Sequence, residues 1–168
     1  ECYVSIMSTK EGDAILFYHQ GGVNVGDVDA KASRMDITVG RYPTQAEITK
    51  KLLGKVPAKR QKHVAAFIEA LFKFYADLNF AYLEINPIVV TEKTVMPLDL
   101  AAKLDSTADF ESGRKWGDIS FPAPFGRTPS KEEAYIEELD SQTGASLKLT
   151  VLNPEGRVWT MVAGGGAS

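Results

Sequence analysis

The sequence lacks the features that mark disulfide-rich, membrane-spanning and nucleic-acid-binding proteins. Its 168 residues include one cysteine, Cys2, so no disulfide can form within the chain and a reducing compartment is expected. No apolar run approaches the roughly 20 residues that cross a bilayer, and no leader pattern begins the chain. Its 19 Lys and Arg against 22 Asp and Glu include no dense basic run. We expect a cytoplasmic protein with no membrane or nucleic-acid partner.

Histidine is also scarce, which excludes two kinds of site. His19 and His63 are the only histidines, and with one cysteine they offer no zinc site of ordinary spacing. Neither lies in a recognisable nucleophile motif, so no nucleophile–base–acid set stands out. The 44% hydrophobic content is that of a globular chain with a real core.

The spacing of apolar residues predicts a mixed α+β fold. Strict alternation predicts strands, and steps of three or four predict helices. The predicted strands are 2–7, 14–18, 81–91, 95–102, 146–151 and 157–163, and the predicted helices are 44–53, about 58–78 and 130–139. Thr44 with Glu47, and Ser130 with Glu133, have the spacing of capping boxes that begin the first and third helices.

The second helix carries the strongest core signal. One face of it is apolar, formed by Val64, Phe67, Ile68, Leu71, Tyr75 and Leu78. Phe72 and Phe74 widen this face, and we assign both to the core rather than to a cofactor site.

A composition change near residue 120 predicts a domain boundary. Gly117, Pro122, Pro124 and Gly126 lie close together, which favours an extended connection. We therefore divide the chain into domains 1–125 and 126–168. The chain begins in a strand pattern and stops directly after another, so we also expect it to be a piece of a longer protein.

The hairpin formed by the predicted strands 81–91 and 95–102 offers a candidate metal site. A tight reversal at Glu92-Lys93 places Asn86 directly opposite Asp99. Opposed residues of an antiparallel pair share a face, with Cβ atoms about 4.5–5.5 Å apart. A carboxamide and a carboxylate oxygen on one face suit a hard cation such as Mg²⁺.

Two plainer interpretations of this hairpin stay open. Asn86-Pro87 is also a common way to end a strand, and Asp99 could be a solvated surface acid. A register slip of one residue would send the two side chains to opposite faces. The register of the hairpin therefore decides whether a shared site is possible.

Three other segments are weaker candidates. Gly21-Gly22 lets the backbone take a positive φ or approach a ligand, or it is only a flexible connection. The run Gly164-Gly165-Gly166 follows a predicted strand and could cradle an anionic group at a helix start. Asp140 ends a predicted helix, where free carbonyls favour cations, but such an Asp is often only a turn residue.

Several motifs resemble one family. Leu83-Glu84-Ile85-Asn86-Pro87 with Leu98-Asp99 resembles the metal-binding hairpin of succinyl-CoA synthetase β subunits, which are ATP-grasp acid–CoA ligases. The segments 97–103, 115–119 and 159–168 are more similar to ATP-citrate lyases. The resemblance spans the whole chain. It implies the later, C-terminal subdomain of an ATP-grasp fold, an antiparallel sheet with helices. This subdomain would run into the start of an α/β citrate-binding domain like that of CoA ligases.

The resemblance also implies site residues and ligands. In the family, the residues matching Asn86 and Asp99 hold Mg²⁺ on the ATP phosphates, and Glu1 falls where a glutamate contacts ATP. Asp140, with the carbonyls of Thr143 and Ala145, matches a second cation loop. The loop Gly164, Gly165 and Gly166 matches the binding site of the substrate carboxylate, here citrate. Where the family has the glutamate of a Glu-Gly-Gly loop, this chain has Gln20.

The implied enzyme makes acetyl-CoA and oxaloacetate from citrate, CoA and ATP, by way of a phosphorylated histidine that neither histidine of this chain matches. The full-length protein is expected to be a homo-oligomer. Two alternatives remain: a succinyl-CoA synthetase-like ligase without the lyase step, and a non-catalytic fragment that binds nucleotide weakly or not at all in isolation. Ala163, where the ligases have Asn, and the segment around Trp116 argue against the first.

Overall fold

The structure is a computed structural model, and it describes residues 1–22, 26, 28, 30–119, 128–143 and 147–162. The chain divides into two compact units, Glu1–Asp118 and Ile119–Ser168. The predicted boundary after residue 125 stays a prediction. Within the described residues, no helix combines the length and the apolar composition that a membrane span needs.

The described residues of the first unit form a six-stranded antiparallel sheet. Its strands are β1 (Cys2–Thr9), β2 (Gly12–Tyr18), β3 (Ser33–Thr38), β4 (Phe80–Val90), β5 (Val95–Pro97) and β6 (Leu100–Leu104). The strand order is β3-β2-β1-β4-β5, and β6 also pairs with β4. The predicted mixed α+β fold with an antiparallel sheet is confirmed. The sequence pattern did not predict β3, although its buried residues Met35 and Ile37 alternate.

Two helices, α1 (Gln45–Leu52) and α2 (Ala58–Asp77), pack on one face of this sheet, which we call the helix face. Both helices were predicted. Their buried residues join those of the strands in one core, and α2 contributes Val64, Ala65, Ile68, Phe72 and Tyr75.

The assignment of Phe74 to the core is wrong, because this side chain is 50% exposed. Phe74 lies two residues after buried Phe72, and in a helix with 3.6 residues per turn this places the two side chains on nearly opposite sides. Instead of entering the core, the Phe74 ring lies beside Phe80, with the ring centroids 5.4 Å apart.

The predicted capping box at the start of α1 is confirmed. The Thr44 hydroxyl accepts the Glu47 N–H at 3.4 Å, and the Glu47 carboxylate accepts the Thr44 N–H at 3.0 Å. Arg41 donates to the same carboxylate. The hydrogen bonds from the Thr44 backbone and hydroxyl lower the pKa of Glu47. Two of the N–H groups that a helix start leaves unpaired are satisfied in this way.

A third helix, α3 (Asp109–Trp116), follows a 3-10 turn and was not predicted. It has almost no apolar face, and Phe110 is fully exposed. Polar bonds hold it instead: the Trp116 indole N–H donates to the Leu78 carbonyl at 2.9 Å, and the Asn79 amide donates to buried Ser112 at 2.6 Å. Hydrophobic periodicity cannot detect a helix of this kind.

In the second unit, the described residues contain one helix, α4 (Lys131–Thr143). Its predicted capping box is confirmed by reciprocal bonds between Ser130 and Glu133, at 2.8 and 3.1 Å. The helix ends four residues later than predicted. The two predicted final strands are wrong where they fall on described residues, since 147–162 contains no strand. An isolated two-stranded hairpin is marginally stable, and Val158 and Met161 remain 91% and 95% exposed.

Candidate metal and nucleotide site

The register of the hairpin determines the candidate site, and the predicted register is confirmed. Val89 pairs with Met96, and Ile85 pairs with Leu100. Between these pairs, the Asn86 N–H donates to the Asp99 carbonyl at 3.2 Å. Asn86 and Asp99 are therefore directly opposed on neighbouring strand segments, as a shared site requires.

Asn86 and its neighbours belong to the face of the sheet opposite the helices, which we call the site face. Leu83 and Ile85 are buried against the helices, so the alternation of a strand places Glu84 and Asn86 on the site face. Asn86 is half-buried and Asp99 is exposed. The Tyr82 hydroxyl donates to the Glu84 carboxylate on this face.

An irregularity in β4 occurs at Asn86-Pro87. Val4 of β1 pairs with Ile85, but Cys2 pairs with Ile88, so β4 carries one extra residue here. The Asn86-Pro87 peptide bond is cis. Bulges of this kind redirect side chains and are common beside functional sites.

A glycine loop lies against this irregularity. The Gly22 N–H donates to the Asn86 carboxamide oxygen Oδ1 at 2.7 Å. A Cβ placed on Gly22 would lie 3.2 Å from a carboxylate oxygen of Glu1, and one placed on Gly21 would lie 2.5 Å from the Cys2 carbonyl oxygen. The structure thus brings Glu1, Gly22 and Asn86 together at one corner of the site face. Gly22 has the positive φ, of +98°, that a glycine pair at this place permits. Gly21 packs closely against the backbone of Cys2, a contact that the sequence did not predict.

Cys2, at the same corner, has no sign of chemical activation. It is buried, and its thiol lies 3.6 Å from the His19 carbonyl oxygen. Burial raises the pKa of the thiol, which lowers the fraction of reactive thiolate. The side chain has the character of a small core residue.

The donors at the hairpin fit Mg²⁺ by their chemistry. Magnesium usually takes one or two carboxylates from the protein and completes its shell with water and substrate phosphates. Asp99 and Asn86 offer one carboxylate and one carboxamide oxygen. No group of three or more His, Cys, Asp and Glu residues suited to a metal occurs in the described part of the chain. The hairpin therefore resembles an open, substrate-completed site more than a closed structural one.

The candidates of the second unit are only partly described. Asp140 lies inside the last turn of α4, and its carboxylate accepts the Leu147 N–H at 2.6 Å. The Thr143 hydroxyl bonds to the Leu139 carbonyl at 3.0 Å. Ala145 lies outside the described residues, as does the run Gly164, Gly165 and Gly166. The cation loop and the citrate loop stay predictions.

Ser5 is a residue of the site face that the sequence reasoning missed. It is fully buried, and its hydroxyl has no hydrogen-bond partner among the described residues. Ser5 pairs with Glu84 across β1 and β4. The sequence did contain a signal for the face of Ser5. The residue lies between Val4 and Ile6, so the alternation of a strand places it on the opposite face from these core residues.

Two family models match the chain. The ATP-citrate synthase ATP-grasp domain matches residues 1–116, and the ATP citrate lyase citrate-binding domain matches residues 127–168. Human ATP-citrate synthase is 58% identical over 168 residues, which are 100% of this chain and 15% of the human protein. The probable ATP-citrate synthase subunit 2 of Schizosaccharomyces pombe is 48% identical over 200 residues, covering 100% of this chain and 41% of that protein.

A solved structure has the same fold. ATP citrate lyase from Methanothrix soehngenii, in complex with citrate and coenzyme A, superimposes with a TM-score of 0.80 at 47% identity. The alignment covers 99% of this chain and 39% of that chain. The chain thus spans less than half the length of each of these relatives. By sequence and by fold, the chain belongs to the ATP-citrate synthase family.

Proposed function

We propose that this chain provides the magnesium–nucleotide face of an ATP-citrate synthase, which makes acetyl-CoA and oxaloacetate from citrate, CoA and ATP. Family membership over residues 1–116 supports the nucleotide part of this proposal. The observation that carries it is the direct opposition of Asn86 and Asp99 on the site face. ATP and Mg²⁺ are the ligands that these residues would hold.

The step assigned to this face is transfer of the terminal phosphoryl group of ATP to a histidine outside this chain. Asn86 and Asp99 would hold Mg²⁺, and Glu1 at the same corner would contact the nucleotide. When bound, the cation supplies positive charge against the nucleotide phosphates. The residues of the chain act by orientation and by electrostatics, which dominate phosphoryl transfer.

Residues 126–168 are proposed to belong to the citrate side of the enzyme. The citrate-binding family model over residues 127–168 supports this, as does the relative solved with citrate and coenzyme A. Asp140, Thr143 and Ala145 would hold a second cation, and Gly164-Gly165-Gly166 would bind the citrate carboxylates. We further propose a cytoplasmic homo-oligomer for the full-length protein.

Substitution of Asp99 tests the proposal in the full-length protein. Asp99→Ala removes one oxygen ligand from an exposed position, so we expect an unchanged melting temperature and loss of histidine phosphorylation by about 100-fold or more. Incorporation of the γ-phosphate label of ATP into protein measures the reaction. Glu92→Ala is the matched control, because it removes an exposed carboxylate from the turn of the same hairpin.

Normal phosphorylation of the Asp99→Ala protein would contradict the metal assignment. Equal losses in the Asp99 and Glu92 variants would also contradict it, since they would reflect damage to the hairpin. We expect Asp99→Asn, which keeps one oxygen donor, to retain more activity than Asp99→Ala.

A further inference from the structure

We propose that Gly22 is a positioning residue for Asn86, and that its backbone N–H orients the carboxamide of Asn86 for metal binding. The proposal rests on the proposed role of Asn86 as a Mg²⁺ ligand. Its structural basis is the hydrogen bond from the Gly22 N–H to the Asn86 oxygen Oδ1, at 2.7 Å. The two residues are 64 positions apart in sequence, so tertiary structure alone creates this contact.

The two ends of a carboxamide have nearly the same shape but opposite hydrogen-bonding character. The oxygen accepts through two lone pairs, whereas the nitrogen only donates. An N–H group directed at this side chain therefore stabilises the orientation in which the oxygen faces the corner. One lone pair receives the Gly22 N–H, and the second remains available for a cation. In the flipped orientation, two N–H donors would face each other and no metal ligand would be present.

The backbone conformation at Gly22 and the packing of Gly21 position this N–H group. Gly22 has a φ of +98°, which side chains of L-residues rarely adopt, and the adjacent Gly21 lies directly against the Cys2 carbonyl and the Pro87 ring. A Cβ on Gly22 would approach the Glu1 carboxylate. The close approach of Gly21 to the Cys2 backbone thus fixes the loop directly before the donor, and a Cβ on Gly22 would be strained by the positive φ and would require the Glu1 carboxylate to shift.

Gly22→Ala tests the proposal against a control with the same backbone strain. Gly40 also has a positive φ, of +76°, but a Cβ there would meet nothing within 4 Å. Both alanine variants incur the cost of a left-handed conformation, and only the Gly22 variant disturbs the corner of the site. The variants are made in the full-length protein, and the probe is Mn²⁺ bound together with the non-hydrolysable analogue β,γ-methylene ATP.

Electron paramagnetic resonance measures the dissociation constant of Mn²⁺ without any turnover. We expect Gly22→Ala to raise this constant about tenfold, the usual effect of losing a group that orients a metal ligand, and Gly40→Ala to leave it unchanged. The melting temperature of Gly40→Ala should also fall, because it has the same backbone strain, and that of Gly22→Ala should fall at least as far. Wild-type Mn²⁺ affinity in Gly22→Ala would overturn the proposal and reduce Gly22 to a packing residue.

Asn86→Ala separates failure of this inference from failure of the proposed function. If Asn86→Ala binds Mn²⁺ normally, Asn86 is not a ligand and both ideas fail. If Asn86→Ala loses Mn²⁺ and Gly22→Ala does not, only the positioning role fails. If Gly22→Ala does not fold, hydrogen exchange of the Gly22 amide provides the test instead. Asn86→Ala removes the acceptor of this amide and should speed its exchange. Equal exchange rates of the Gly22 amide in Asn86→Ala and in the wild-type protein would overturn the proposal.

Discussion

At the residue scale, Tyr75 is a buried polar group whose environment links the stability of the fold to pH. The side chain is 2% exposed, and its hydroxyl lies 2.7 Å from the Ser8 hydroxyl and donates at 3.3 Å to the Asp13 carboxylate. Burial, assisted by the negative charge of Asp13, raises the pKa of Tyr75 to about 12. The folded protein therefore favours the neutral phenol.

This shift predicts a loss of stability at alkaline pH. The pKa of Tyr75 is higher in the folded state than the ordinary value of 10.0. The contribution of its neutral phenol to the free energy of unfolding is therefore complete below pH 10 and is lost as the pH rises toward about 12. We expect Tyr75→Phe to reduce the fall in the free energy of unfolding across this interval, measured by urea denaturation at a series of pH values. Tyr42→Phe removes the hydroxyl of a half-exposed tyrosine and should leave the fall in the free energy of unfolding as in the wild-type protein. The same pH profile in both variants would disprove the prediction.

At the element scale, α1 depends on its first turn. It has eight residues, and isolated helices of fewer than about 12–15 residues are marginal in water. Buried Ile48 and Leu52 attach the helix to the core, and the capping box at Thr44 satisfies its first N–H groups. Local sequence was enough to predict this element, because the cap and the apolar spacing agree.

Thr44→Ala should lower the free energy of unfolding by about 1 kcal/mol, because it removes the side-chain acceptor of the capping box. Chemical denaturation measures the change. Thr49→Ala makes the same substitution inside the helix, where alanine has the higher propensity, and should be neutral or slightly stabilising. If both variants lose the same amount, the cap contributes nothing specific.

Reasoning from apolar spacing did not predict elements that lack an apolar face. Helix α3 is held by Trp116, Lys115 and Ser112 through polar bonds to the end of α2 and the following turn. These partners are more than 30 residues away in sequence. In the opposite error, the apolar residues of 157–163 predicted a strand, but such residues form a strand only where a face of it is covered, and the side chains of Val158 and Met161 are exposed.

At the scale of the whole molecule, the core that the described residues form lies in the first unit. All of the buried hydrophobic residues in the described part of the chain lie between Cys2 and Val90. None of the described residues of the second unit is buried. Among the described residues, the hydrophobic effect, the main driving force of folding, therefore acts almost entirely within residues 1–118.

We expect the segment 1–118 to fold by itself with a cooperative thermal transition, and the segment 119–168 to show none. Circular dichroism of the two separate polypeptides measures this. A melting temperature for 1–118 within a few degrees of that of the 168-residue chain would support the division. A non-cooperative melt of 1–118, or a cooperative one of 119–168, would show that the core extends beyond the residues assigned to it.

The sequence by itself determined the α+β class, the capped helices and the opposition of Asn86 and Asp99. These depend on local spacing, since a hairpin with a short turn has its register set within a few residues. Only the tertiary structure decided which face of the sheet the helices cover, and it alone brought Gly22 and Glu1 to Asn86. Those contacts join distant segments, and their geometry follows from the packing of β1 against β4 rather than from any local pattern. The carboxylate and carboxamide of the hairpin could be found by sequence reasoning, but the N–H group that orients one of them could not.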